Sequence, residues 1–181
     1  MAATVTQTQS QRVSDPNAAQ KDKQTVICVF CGASDGSSPA FKAAARSLAQ
    51  VFHDNHVKLL YGAGTYGMMG ELARTLVALS GPEAVHGIIP KALLPAEKYV
   101  LEKAELAGRD DKQTYGITTV VQTMHERKEL MAAKVREGGP GSGFIALPGG
   151  FGTLDELAEM TTVSLFAGFN EQYLRYFKTN D

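Results

Sequence analysis

Short apolar runs that alternate with helically spaced apolar residues constrain this chain more than any other feature. The runs lie at Thr25–Phe30, Val57–Tyr61, Val85–Ile89, Ile117–Val121 and Phe144–Leu147. They are of strand length and rich in β-branched and aromatic residues, and glycine or proline closes several of them, as at Gly32, Gly62 and Pro90. Between the runs, Pro39 opens a helical pattern carrying Phe41, Ala44, Ala45, Leu48 and Phe52 to about Asn55. A second pattern from about Gly67 carries Met68, Leu72, Leu76 and Leu79 and stops at Gly81-Pro82. Further helices are predicted over Met124–Val135 and from about Leu154 to Leu165. Lys91 to Gly116 is the least legible stretch, with one short helical segment and the charged run EKAELAGRDDKQ, and reads as a mobile connection. Strands separated by helices make βαβ units, whose right-handed crossovers give a parallel sheet covered on both sides. The expected fold class is therefore α/β, a Rossmann-like doubly wound parallel β-sheet with helices on both faces, three-layer αβα. Ligands of such sheets sit beyond the carboxyl ends of the strands, which directs attention to the loops after residues 30, 61, 121 and 147.

Composition narrows the partners. Asp and Glu number 19 and Lys and Arg 18, so no basic excess exists to neutralise a phosphate backbone or anionic lipid. Nucleic-acid polymers and membranes are poor partners, and no apolar run approaches the ~18 residues of a membrane span. Residues 1–24 lack the charged start and apolar centre of a secretory signal and read as a disordered leader before a domain over 25–165. The expected address is cytoplasmic. Cys28 and Cys31 are spaced C-x-x-C, but Cys28 lies inside the strand-like VICVF rather than at a helix start, where the dipole would lower its pKa. His53 and His56 do not fall at zinc-finger spacing, so no metal site is expected and both cysteines read as structural thiols.

Glycine is the one excess, at 18 residues; GGPGSG at 138–143 reads as a flexible turn, and two further clusters fall in the loops after residues 61 and 147. Gly62-Ala63-Gly64-Thr65-Tyr66-Gly67 is a literal G-x-G-x-x-G between a strand and a helix. A phosphate-binding P-loop would continue with Lys and Ser or Thr, where this chain has Met68 and Met69. A dinucleotide site would place an acid at the end of the next strand, which instead reads Ile89-Pro90-Lys91. Two readings stay open: a nucleotide moiety approaching bare backbone, or glycines that merely permit a tight turn and close helix packing. The loop after the last strand, Pro148-Gly149-Gly150-Phe151-Gly152-Thr153, leads into Leu154, Asp155 and Glu156. Its glycines can form a concavity of N–H groups at a helix N-terminus, which suits a phosphate. Thr153-x-x-Glu156 is equally a capping box.

Arg127, in the run Met124-His125-Glu126-Arg127-Lys128, borders the apolar stripe made by Met124, Met131 and Val135. A guanidinium there needs an anionic partner, either Glu156 or a ligand phosphate. His125 and Lys128 are read either as solvent-facing or as direct participants, and Lys128 is kept among the candidate binding residues.

MHERK at 124–128 and PGGFGTLDE at 148–156, with CVFCGAS at 28–34 and YGAGTYGMMG at 61–70, make the chain resemble the Lonely Guy family of cytokinin-activating enzymes over about residues 25–162. The resemblance implies a Rossmann-like homodimer that takes a nucleoside monophosphate. The reaction it implies is hydrolysis of the N-glycosidic bond of cytokinin riboside 5′-monophosphates, with AMP as a further candidate, to free base and ribose 5-phosphate. It implies Arg127 and Glu156 as the catalytic pair and Gly149, Gly150, Gly152 and Thr153 as the phosphate site. Ser34 and the loop from Gly62 to Gly67, including Gly64, would lie near ribose and base, with Met68 offering apolar contact. No metal or organic cofactor is implied. Members were widely mislabelled lysine decarboxylases, but the sequence shows no separate pyridoxal-binding lysine constellation.

The departure from the family comes after Thr162, where a tryptophan, a Q-L-G stretch and a Lys-Pro segment usually lead into another strand. Here residues 166–181 form a divergent tail, and Phe166, Phe169, Tyr173, Tyr176 and Phe177 are expected to cover the sheet edge. The competing readings are a catalytically inactive nucleotide-binding or regulatory protein of the same fold and an NAD(P)-linked oxidoreductase.

Overall fold

The computed structural model describes residues 23–95 and 114–166. Strands β1 (Val26–Phe30), β2 (Lys58–Tyr61), β3 (Val85–Pro90), β4 (Ile117–Val121) and β5 (Gly143–Ala146) form one sheet in the order β4-β3-β2-β1-β5. All four pairings are parallel, with Cys28 opposite Leu60 on β2 and Phe144 on β5. The helices are α1 (Pro39–Asp54), α2 (Gly67–Ser80), α3 (Met124–Glu137) and α4 (Phe151–Phe166). The expected fold class holds, and the boundaries differ from the sequence reading by a few residues at most.

Sequence period and burial agree on which side each helix covers. Val29, Cys31, Leu59 and Tyr61 pack with Ala45, Ala49 and Phe52 of α1 and Leu72, Ala73 and Leu76 of α2. The alternate residues Cys28, Phe30, Leu60 and Ile88 pack with Met131, Ala132 and Val135 of α3 and Met160 of α4. Successive strand side chains point to opposite faces, so one strand run supplies both layers. Side chains cap the starts of α1 and α3. Ser38 Oγ accepts from Ala40 N at 3.2 Å with Pro39 in the first helical position. At α3, Thr123 Oγ1 accepts from Glu126 N at 3.1 Å, while Glu126 Oε2 accepts from Gln122 N at 2.8 Å.

The strand order locates the site. The chain runs outward from β1 through β2 and β3 to β4, then returns to place β5 on the other side of β1. The reversal opens a crevice at the carboxyl ends of β1 and β5, where doubly wound sheets take their ligands. There the loops after β1 and β5 are joined, Gly32 N donating to Pro148 O at 3.0 Å.

Two expectations fall mainly outside the described residues: the connection at 96–113 within the Lys91–Gly116 stretch, and the aromatic cover of the divergent tail beyond Phe166. The leader likewise lies outside over 1–22, and its last two residues, Lys23 and Gln24, are described. Gln24 O accepts from Gly139 N at 2.9 Å, and Lys23 Nζ donates to Glu137 O at 3.1 Å, because the backbone entering β1 docks against the turn after α3.

Candidate active site

Arg127 projects from the second turn of α3, whose first turn the Thr123 and Glu126 caps fix. Its guanidinium is buried, and Nη2 donates to Glu156 Oε1 on α4 at 2.7 Å. Both residues are nearly inaccessible, at 7% and 9% exposure, so the pair is desolvated and its mutual attraction is little screened. Nη1 reaches Met124 Sδ at 3.4 Å, a weak acceptor, and Nε is buried without an acceptor among the described residues. The fork therefore keeps unused donor capacity beside the carboxylate.

Burial pushes the Glu156 carboxyl above the ordinary glutamate range. Arg127 opposes that rise, the neighbouring Asp155 adds to it, and Lys128 subtracts from it. The two thiols sit close enough to feel the same carboxylate. Burial pushes the Cys31 thiol up to about 12, and Cys28 rises well above its usual value for the same reason. The cysteines are free and belong to cores on opposite faces of the sheet, in keeping with structural thiols.

Packing accounts for glycine at all three positions of the G-x-G-x-x-G loop. A Cβ on Gly62 would overlap Arg127 Nη2 and come 3.2 Å from Cζ, so the bare backbone after β2 is the seat of the guanidinium. Gly64 is buried against Met69, where a Cβ would lie 3.1 Å from Cε. Gly67 has φ +60 and lies against the backbone of Ser34, leaving no room for a side chain. Ser34 itself is exposed on the loop after β1. Met68, expected to offer a ligand apolar contact, is 2% exposed and packed in the α1–α2 core. That correction has a simple cause: of the adjacent Met68 and Met69, the helix register turns Met68 fully inward.

The loop after β5 is different. A Cβ on Gly150 or Gly152 would meet nothing within 4 Å, so packing does not demand glycine at either position. Both lie exposed at the start of α4. Gly150 O accepts from Thr153 N at 3.1 Å and Leu154 N at 3.2 Å, which puts the start of α4 ahead of Thr153. The capping-box alternative fails on this point, since Thr153 lies inside the first turn and Glu156 is turned to Arg127. Gly149 is required for docking, because a Cβ there would overlap Thr153 Oγ1 and approach Gly32 N at 3.0 Å. What remains is exposed backbone at a helix N-terminus, with its dipole and first N–H groups directed outward.

Lys128, expected among the binding residues, places its side chain between α3 and α4. Its Nζ donates to Asp155 Oδ2 at 3.0 Å and also pairs with Glu159. The side chain is committed to the α3–α4 seam. Gly62, Asp155 and Glu159 were not singled out as partners of the pair. The signal for the two acids was their i,i+4 spacing around Glu156, opposite the consecutive cations Arg127 and Lys128. Among the described residues no three His, Cys, Asp or Glu side chains converge as a metal cage. No helix among them is long and apolar enough to cross a membrane.

A family profile described as possible lysine decarboxylase matches residues 69–168. The chain is 53% identical over 141 residues to a bifunctional cytokinin biosynthesis protein of Fusarium pseudograminearum, covering 77% of this chain and 28% of that protein. It is 40% identical over 147 residues to the probable cytokinin riboside 5′-monophosphate phosphoribohydrolase LOGL1 of Oryza sativa subsp. japonica, covering 81% of this chain and 57% of that protein. It is 38% identical over 136 residues to the cytokinin riboside 5′-monophosphate phosphoribohydrolase LOG7 of Arabidopsis thaliana, covering 75% and 54%. The chain thus spans between 28% and 57% of the length of these relatives.

Proposed function

The chain belongs to the Lonely Guy family, the family of the matching profile, and on that premise we propose that it hydrolyses the N-glycosidic bond of cytokinin riboside 5′-monophosphates to free base and ribose 5-phosphate. The observation that carries the reading is the buried 2.7 Å pair of Arg127 and Glu156, adjoining the loop that bares its backbone at Gly150 and Gly152. The exposed backbone of Gly149, Gly150 and Gly152 at the start of α4, with the buried Thr153 beside it, takes the 5′-phosphate. This fixes the ribose relative to Glu156. As the C–N bond breaks, positive charge develops at the anomeric carbon, and a carboxylate stabilises it and accepts a proton from the attacking water. Water supplies the hydroxyl of ribose 5-phosphate, and the base leaves with the bond pair and acquires a proton. Arg127 holds Glu156 in place and, in this reading, also binds the substrate through its fixed fork of donors. Ser34, on the loop joined to Pro148, lies on the ribose side of the crevice.

The active form is a homodimer in this reading. Phe151, Leu154 and Leu157 on α4 and Met124 at the start of α3 are exposed at 91%, 59%, 40% and 42%, an apolar surface suited to a second copy. A cytoplasmic setting goes with the two free thiols. The deciding experiment incubates the purified chain with isopentenyladenosine 5′-monophosphate and with AMP and separates the products by chromatography. Free base from the former supports the proposal; base from neither overturns it.

A further inference from the structure

Two consecutive residues of α3 reach two different sets of carboxylates on α4. Arg127 takes Glu156, while Lys128 takes Asp155 and Glu159, one position before and three after it. We propose that Lys128 is a positioning residue for Glu156: by clasping Asp155 and Glu159 it fixes α4 so that the Glu156 carboxylate meets Arg127, and it offsets part of the like charge at Asp155. The inference rests on Glu156 being the reacting carboxylate.

Geometry makes the first part. One contact between two helices leaves each free to slide or roll about that point. Asp155 and Glu159 are separated by one helical turn, about 6 Å along the axis, so a lysine bridging them holds both the height and the rotation of α4. The Lys128 side chain is only 12% exposed, and Glu159 at 29% is the better buried of its partners. Asp155 at 62% is largely solvated, so of the two contacts that make the clasp the one to Glu159 is the firmer. Charge makes the second part. The ionisable groups around Glu156 are Arg127 and Lys128 from α3, Asp155 and Glu159 from its own helix, and Cys28 and Cys31 at β1. Asp155 works against ionisation of Glu156, and Lys128 works for it.

The test reads Glu156 directly and does not depend on turnover. In the full chain, the carboxyl carbon of Glu156 is followed by 13C NMR against pH, its signal identified by loss in E156Q. The expected result is a midpoint moved to higher pH in K128M, moved to lower pH in D155N, and restored in K128R. With isopentenyladenosine 5′-monophosphate, kcat of K128M should fall about tenfold or more while KM stays within about threefold, as for a misplaced reacting group. An unmoved midpoint in folded K128M overturns the proposal. So does a raised KM with unchanged kcat, which would return Lys128 to direct substrate binding. Should K128M fail to fold, D155N carries the test, and an unmoved or raised midpoint overturns it. A wild-type chain that releases no base while K128M still shifts the midpoint defeats the hydrolase reading and leaves the coupling of Lys128 to Glu156 standing.

Discussion

Arg127 Nη2 and Glu156 Oε1 meet at 2.7 Å across the seam between α3 and α4, with both side chains almost wholly withdrawn from solvent. A pair so placed is a weak source of stability, because the attraction largely repays the cost of stripping water from two charges. Its value lies in presenting a fixed carboxylate and a fixed fork of donors beside the exposed start of α4.

Glu156→Gln keeps the shape and removes the charge. Turnover of isopentenyladenosine 5′-monophosphate should fall by about 10²–10⁴, the range for a positioned acid–base group, with nucleotide affinity nearly unchanged. Single-turnover kinetics and equilibrium dialysis measure the two separately; wild-type turnover would leave Glu156 a merely structural partner of Arg127.

Arg127→Met strands a buried carboxylate. Breaking a buried pair from one side costs about 3–5 kcal/mol, so the variant should melt at lower denaturant than E156Q. The double variant R127M/E156Q should recover part of that loss, since no unpaired charge remains. Urea titrations of the three chains make the comparison.

Gly62→Ala sets a methyl group where the guanidinium now rests. The backbone after β2 cannot yield without disturbing the sheet, so Arg127 should move. Overpacking of this kind costs about 1–3 kcal/mol, and a shift near 1 Å in a catalytic group can cost about 10² in rate. Activity should therefore fall far more than stability, read by kcat/KM beside a thermal melt.

The pH response follows from burial of Glu156, which raises its folded pKa above the unfolded value of about 4.3. The folded state then binds the proton more tightly than the unfolded state. The stability this confers is complete below the unfolded pKa and is lost as pH rises through the folded one. Turnover should move oppositely, because the proposed hydrolysis needs the ionised carboxylate. The acid limb of kcat/KM should lie above an ordinary glutamate, and E156Q should flatten the stability profile over the same window. An acid limb at or below about 4.3 would mean that the Arg127 charge outweighs desolvation.

Cys28 and Cys31 should resist thiol reagents in the folded protein. Both are buried, and burial holds both thiols protonated at neutral pH. Dithionitrobenzoate should label neither thiol before denaturant is added and both afterwards; rapid labelling of the native chain would contradict the packing.

Most of the secondary structure was legible because its causes are local. The β-branched runs, Ser38-Pro39 before α1 and Gly81-Pro82 after α2 act through neighbouring backbone, and the structure follows them. The reading of Thr153 and Glu156 as a capping box failed for the same local reason. The tetrapeptide satisfies a cap pattern, but Gly150 already accepts the first helical bonds and Glu156 finds a stronger partner in a helix 29 residues away. The burial of Met68 and the seam contacts of Lys128 were not legible because sequence gives a helix's period without its phase against the neighbouring elements.

The sequence by itself determined the α/β class, the family, and the residue types at the candidate site, since periodicity and motif spacing are carried along the chain. Tertiary structure decided the strand order that brings the loops after β1 and β5 together, the use of Gly62 as a seat for Arg127, and the clasp of Lys128 on α4. Those depend on which distant surfaces exclude water together, and burial of one surface against another is non-directional and leaves no local mark in the chain.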